Sequence, residues 1–198
     1  MKTSILTLAI ALSALTGFSK TTPAKVDGKE AVTNLNQVTR VSTIEVRGNV
    51  QLYVSDGQEG QVKVYNNYYS ENAVVQGQDG TLRIASYGDQ KLIVWVTSDC
   101  LQKISLYDNA SVRSFGKLSA IQLNVNIFGN ASAQLVIDVY TINLKLHDHG
   151  KADLSGTAST ANLACDHSST LNYAMLTAEH LDKKVTFDQP KEGLVAIP

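Results

Sequence analysis

The sequence predicts a nearly all-β protein whose second half is a stack of similar coils. Three observations carry this reading. Short runs rich in Val, Ile, Thr and Tyr alternate apolar and polar residues from Val41 onward. A turn-like phrase returns four times: LYDNASVRS from Leu106, IFGNASAQL from Ile127, LHDHGKADL from Leu146 and ACDHSSTLN from Ala164. Beyond residue 24 no stretch sustains a helical period.

The chain opens with Lys2 and the apolar run ILTLAIALSAL (5–15), followed by small residues. That run is too short to span a bilayer core of about 30 Å as a helix and has the form of a signal peptide. Residues 1–24 are therefore expected to be removed on export, with cleavage after Ser19 or Ala24. Residues 25–36 are expected to form a linker, and 37–198 a single β domain. No later stretch is long and apolar enough to span a membrane, so no integral span is expected after cleavage.

The strand-rich start, 37–100, contains VSTIEVRG (41–48), NVQLYVSDG (49–57), QVKVYNN (61–67), GTLRIASYG (80–88) and KLIVWVTS (91–98). In the second run Val50, Leu52 and Val54 face one side, and Gln51, Tyr53 and Ser55 the other. Ser55-Asp56-Gly57 and Gln78-Asp79-Gly80 read as turns, since Gly accepts positive φ and Asp bonds its own backbone.

The coils are expected over 101–180. Aligned on Asn109, Asn130, His149 and His167, the phrases are spaced 21, 19 and 18 residues apart. Between them Ile104 and Leu106, then Ile121, Leu123, Val125 and Ile127, then Ile142, Leu144 and Leu146 are expected to face inward. A period near twenty means that each coil buries its apolar face against its neighbours, about 4.8 Å away along the axis. The phrase then marks a corner that every coil must turn. Asn and His are among the residues that tolerate positive φ, so the aligned positions are expected to form a ladder there. Gly116 and Gly156 suggest a second corner. A strand around Val185–Phe187 is expected within a C-terminal cap, 181–198.

The stretch VSTIEVRGNVQLYVSDGQEGQVKVYNN, with DGTLRIASYG, KLIVWVTSDCLQKISLYDNASV and the repeated small-residue turns, resembles a bacterial family of unknown function. That family is named "putative auto-transporter adhesin, head GIN domain". The resemblance runs from about Gln37 to about Thr177 and includes Gly48-Asn49-Val50. It implies a right-handed parallel β-helix or solenoid preceded by a short-stranded β region, in an exported, surface-associated protein. The family supplies no catalytic residues. Its corners are Gly-Ser-Gly-like, whereas this chain has Asp-Asn-Ala, Gly-Asn-Ala, Asp-His-Gly and Asp-His-Ser.

Composition narrows the function. Lys+Arg number 17 and Asp+Glu 18, a formal net charge of −1, so no general basic field attracts nucleic acid. No nucleophile elbow, P-loop, dinucleotide fingerprint or Gly-rich calcium repeat is present, and no cofactor is expected. His147, His149, His167, Asp148 and Asp166 have donor types suited to a divalent ion such as zinc. The competing reading makes them corner residues, a column that any repeat generates. Asp148, Asp153 and Asp166 faintly resemble the carboxylates of pectin-degrading β-helix enzymes, but no Asp-Asp pair or Gly-His-Gly accompanies them. Asn109-Ala-Ser111 and Asn130-Ala-Ser132 match the N-glycosylation pattern but read as turns in a bacterial context.

Adjacent Tyr68 and Tyr69 cannot both face a core. With Asn66 and Asn67 they are candidates for stacking on a sugar and hydrogen bonding to it; otherwise they are a core-closing and a surface ring. Cys100 and Cys165 lie three coils apart, about 14 Å along the axis, too far for a disulfide, and are expected to be unpaired. The functional expectation is an exported, non-enzymatic module of the cell envelope or surface, periplasmic or extracellular. It would bind glycan or an envelope protein through a β-helix face. A carbohydrate-active hydrolase or lyase on the same scaffold is the alternative, and a purely structural envelope protein is a third.

Overall fold

The computed structural model describes residues 32–35, 40–58, 60–65 and 73–185. Twelve strands form: β1 (Val32–Asn34), β2 (Thr43–Gly48), β3 (Val50–Asp56), β4 (Gln61–Tyr65), β5 (Ala73–Gln78), β6 (Thr81–Ser86), β7 (Leu92–Ser98), β8 (Lys103–Leu106), β9 (Ser111–Ile127), β10 (Ser132–Leu146), β11 (Lys151–Cys165) and β12 (Thr170–Val185). There is no helix among the described residues. The expected signal segment, the candidate ligand residues Asn66, Asn67, Tyr68 and Tyr69, and residues 186–198 lie outside the described residues.

All twelve strands belong to one sheet, curled around its core. The long strands each serve two limbs. The first part of β9 pairs with β3, which leads on to β7, β4 and β1. The last part of β9 pairs with β8, which leads on to β2, β6 and β5. On the other side β10, β11 and β12 follow β9 in turn, each parallel to the strand before it and 19 to 21 residues further along the chain. Only the outer pairs β1–β4, β4–β7 and β5–β6 are antiparallel. These antiparallel strands lie at the outer ends of the two limbs. Asp79 (φ 49°) and Gly80 (φ 73°) make the β5–β6 turn, where two consecutive positive φ values match the strand twist.

Parallel stacking puts like residues in register, so the core consists of columns. Ile44, Leu82, Ile104, Val125, Leu144 and Leu163 form one. All six are buried. Each such aliphatic side chain contributes roughly 1.5–3 kcal/mol on burial.

Two expectations need correction. Ile121 does not face the core; it is 83 % exposed. The alternation breaks where each long strand bends: Ile121 and Gln122 both face out, as do Tyr140 and Thr141 in the next coil. This break lies a few residues beyond Gly116 in its strand, and Gly156 stands likewise ahead of the half-buried pair Ser159-Thr160. Those glycines have φ of 80° and 106° and accompany register irregularities a few residues earlier. Second, the fourth phrase slips by one residue. Leu146 pairs with Cys165 and Lys151 with Thr170, so His149 stands opposite Ser168, and His167 opposite Asp148. The shared letters Asp-His suggest the wrong alignment. The requirement to keep an apolar residue in the inward column sets the real one.

Candidate functional site

The corner residues serve the backbone first. The left-handed position is held by Gly48, Asp108, Gly129 and Asp148, with φ from 61° to 77°, and not by Asn109, Asn130 and His149. Glycine and aspartate alternate for a physical reason. The Gly48 N–H donates to Asp108 Oδ2 at 3.2 Å, and the Gly129 N–H to Asp148 Oδ2 at 3.1 Å. Each carboxylate thus satisfies an amide in the neighbouring coil. A Cβ on Gly129 would lie 3.3 Å from the Asp108 backbone nitrogen and oxygen, so the receiving position is tight. One residue earlier, Tyr107, Phe128 and His147 stack as a ladder of rings, with centroids 5.1 and 4.9 Å apart and planes within 6°. The Arg47 guanidinium caps it, 3.9 Å from the Tyr107 centroid.

The metal candidates are dispersed by this arrangement. His147 is stacked on Phe128. Asp148 occupies the left-handed position, and His149 and His167 stand in different columns. Asp166 is buried and accepts from the Asp148 N–H at 2.5 Å, the Ser168 N–H at 3.1 Å and the Ser169 N–H at 2.9 Å. The Ser168 and Ser169 hydroxyls donate to it as well. Burial disfavours its charge, but the Ser169 hydroxyl, the Asp148 amide and the other donors outweigh that and hold the carboxyl below its ordinary value. Among the described residues no group of three or more His, Cys, Asp and Glu is placed to hold a metal ion. Asp153 accepts from Asn172 Nδ2 at 3.2 Å, in a different row of the sheet. Exposed Asp138 is likewise held below the ordinary value, by the Thr157 hydroxyl at 2.7 Å and then by the Lys117 ammonium. No disulfide joins Cys100 to Cys165; Cys165 is buried and Cys100 half-buried.

On the other limb, side chains that alternate away from the core meet on the outer surface. In register across β4, β7, β3 and β9 stand Lys63, Trp95, Tyr53 and Arg113. Their strand neighbours Val62, Val64, Val94, Val96, Leu52, Val54 and Val112 are buried, which forces this row outward. Tyr53 and Trp95 stack with centroids 4.7 Å apart, and Phe115 leans on Trp95 at 5.5 Å and 57°. Phe115 is 65 % exposed, because the register irregularity at Phe115-Gly116 lifts it from the strand. Tyr65, Ile93 and Ser114 complete a shallow groove of about 480 Å³ with these rings and Arg113. The groove offers apolar ring surface, the phenol hydroxyls of Tyr53 and Tyr65 and the Arg113 guanidinium, the mixture a ligand with both apolar and hydroxyl faces requires. The sequence points instead to Tyr68 and Tyr69, which lie outside the described residues. The available signal was the outward parity of Tyr53, but its partners come from strands that are not consecutive in the chain.

The chain can now be set beside known proteins. A family model described as "Putative auto-transporter adhesin, head GIN domain" matches residues 41–186. No curated protein sequence is significantly similar to the chain. Among solved structures, an adhesin described as putative from Bacteroides fragilis superposes with a TM-score of 0.68 at 18 % identity, covering 81 % of this chain and 78 % of that one. A second from Parabacteroides merdae gives 0.62 at 16 % identity, covering 81 % and 79 %. A protein from Parabacteroides distasonis, named as a putative lipid-binding protein, gives 0.61 at 11 % identity over 80 % and 79 %. At these identities the likeness establishes the fold alone. The family match takes in every strand from β2 to β12, and the chain therefore belongs to the auto-transporter adhesin head GIN domain family.

Proposed function

We propose that the chain is an exported, non-enzymatic module of the cell envelope or surface that binds polysaccharide through the outer face of its β3–β4–β7–β9 limb. In this reading residues 1–24 are removed on export, and the stacked strands are coils of a right-handed β-helix. The observation that carries the proposal is the Tyr53–Trp95–Phe115 cluster on the outside of a parallel sheet. These rings are not needed to fill the core, which is closed beneath them by Leu52, Val94, Val96 and Val112. A pyranose ring has a face of C–H groups that packs on an aromatic ring and a rim of hydroxyls that reaches polar neighbours. Membership in a family named for adhesion is consistent with surface attachment.

The test is retention of the protein on immobilised polysaccharides, with released reducing ends measured in the same incubation. Retention without release is expected. Trp95→Ala should abolish retention while leaving the protein folded, with the melting temperature lowered by a few degrees for the two lost ring contacts and the buried core beneath intact. Reducing ends released at a rate that depends on Asp148 or Asp166 would overturn the proposal in favour of a carbohydrate-active enzyme.

A further inference from the structure

The groove's rings do not stand alone in their row. Lys63 and Arg113 bracket Trp95 and Tyr53, one strand beyond each. Three strand steps separate the two cations, about 14 Å. Neither joins a salt bridge among the described residues, and the backbone neighbour of Lys63 on β1 is uncharged Asn34. A third cation, Lys151, lies on the same outer face in the adjoining row, in register with Ser132 and Ser111. The nearest acidic residue along the row of rings is Asp153, two strands beyond Arg113 and already accepting from Asn172.

We propose that the polysaccharide this face takes is polyanionic, with its acidic groups at Lys63 and Arg113 and its sugar rings on Trp95, Tyr53 and Phe115. This rests on the functional reading above and narrows it to a ligand class. The whole chain carries a formal net charge of −1, so general attraction does not account for binding a polyanion; a local cationic pair must. Arg presents a planar fork that suits carboxylate and sulfate alike, and Lys supplies a point charge. The shared chemistry is an anionic sugar, and carboxylated and sulfated polymers are its two sources.

The experiment compares retention of the purified protein on polygalacturonate, dextran sulfate and uncharged dextran, as a function of sodium chloride. Retention on one or both polyanions is expected, with none on dextran, and it should weaken steeply with salt. Which polyanion is retained distinguishes a carboxylate from a sulfate ligand. Lys63→Gln and Arg113→Gln should each weaken retention about tenfold, the loss expected for one charge-assisted hydrogen bond. Both side chains project outward, so an unchanged melting temperature checks that each variant folds. Equal retention on dextran and the polyanions would overturn this inference and leave the functional reading standing. Polyanion retention unaffected by either substitution would also overturn it, because the charge would then be read elsewhere. No retention on any of the three, together with none on other polysaccharides, would defeat both.

Discussion

Replacing Asp166 by alanine removes one side chain that holds the last corner together. Its carboxylate accepts from three backbone amides, of Asp148, Ser168 and Ser169, and from two hydroxyls. Ser168 is exposed and Ser169 half-buried, so water can replace much of what those groups lose. The Asp148 amide makes the one part-buried backbone bond to Asp166 that crosses between corners 18 residues apart, and it is the shortest of the set at 2.5 Å. Counting that bond in full, at about 1.5–3 kcal/mol for a charged acceptor, and the rest at a fraction, gives a loss of about 3 kcal/mol. For a domain of this size that lowers the melting temperature by about 6–12 °C. Asp166→Asn keeps the shape and one acceptor oxygen and should lose about half as much.

The pH dependence has a definite sign. The folded carboxyl lies below its ordinary value of 3.8, so the unfolded chain takes up the proton more readily. The stabilisation is complete above the ordinary value and is lost as pH falls through the lower, folded one. The gap between wild type and Asp166→Asn should therefore be constant near neutrality and close below pH 3.8. Thermal unfolding followed by circular dichroism at several pH values measures both effects. A shift of less than about 2 °C for the alanine variant near pH 7 would refute the assigned role.

Other perturbations separate strain, stacking and thiol access. Gly156→Ala places a Cβ 2.0 Å from the Ile137 carbonyl oxygen at φ 106°, whereas Gly116→Ala at φ 80° meets nothing within 4 Å. The second should cost about 1–2 kcal/mol in urea unfolding and the first clearly more; equal costs would contradict the close approach of β11 to β10. Phe128→Ala breaks both ring stacks of the corner ladder and should destabilise by about 2 kcal/mol beyond the lost burial. A double-mutant cycle with His147→Ala checks for the coupling. Intact mass should be unchanged by reduction, and a thiol reagent should label half-buried Cys100 in the native protein but buried Cys165 only on unfolding. Rapid native labelling of both would contradict the inward placement of Cys165.

Much of the fold is legible from alternation. β2, β3, β6 and β7 fall within one or two residues of the runs that predict them, because each buries every second residue. β5 escapes notice: AVVQGQ has one half-buried valine, and its outer positions carry no clear pattern. Ile121 misleads because periodicity assumes a straight strand, and the strand bends there. Asp108 and Asp148 are harder still. Their positive φ is tolerated because the side chain satisfies an amide in another coil, and that partner is not visible in local sequence. The aromatic groove is hidden for a related reason. Tyr53, Trp95 and Phe115 come from three strands whose spatial order, β7–β3–β9, is not their order in the chain.

That order has a bearing on how such a chain can change in length. The β2–β3 layer is wedged between the β6–β7 layer and the β8–β9 layer, through pairings reaching 38 and 42 residues forward on one side and 60 on the other. Beyond β9 each layer touches only its immediate predecessor and successor, at a constant step of 19 residues between β10 and β11. The N-terminal part is therefore an interlocked knot of contacts in which an inserted layer would separate partners on both sides. The C-terminal part is modular masonry, where duplicating one course moves the rest outward without disturbing any existing joint. Gain or loss of whole coils is open to descendants of this chain only past β9, and the aromatic groove sits on the side that such changes leave intact.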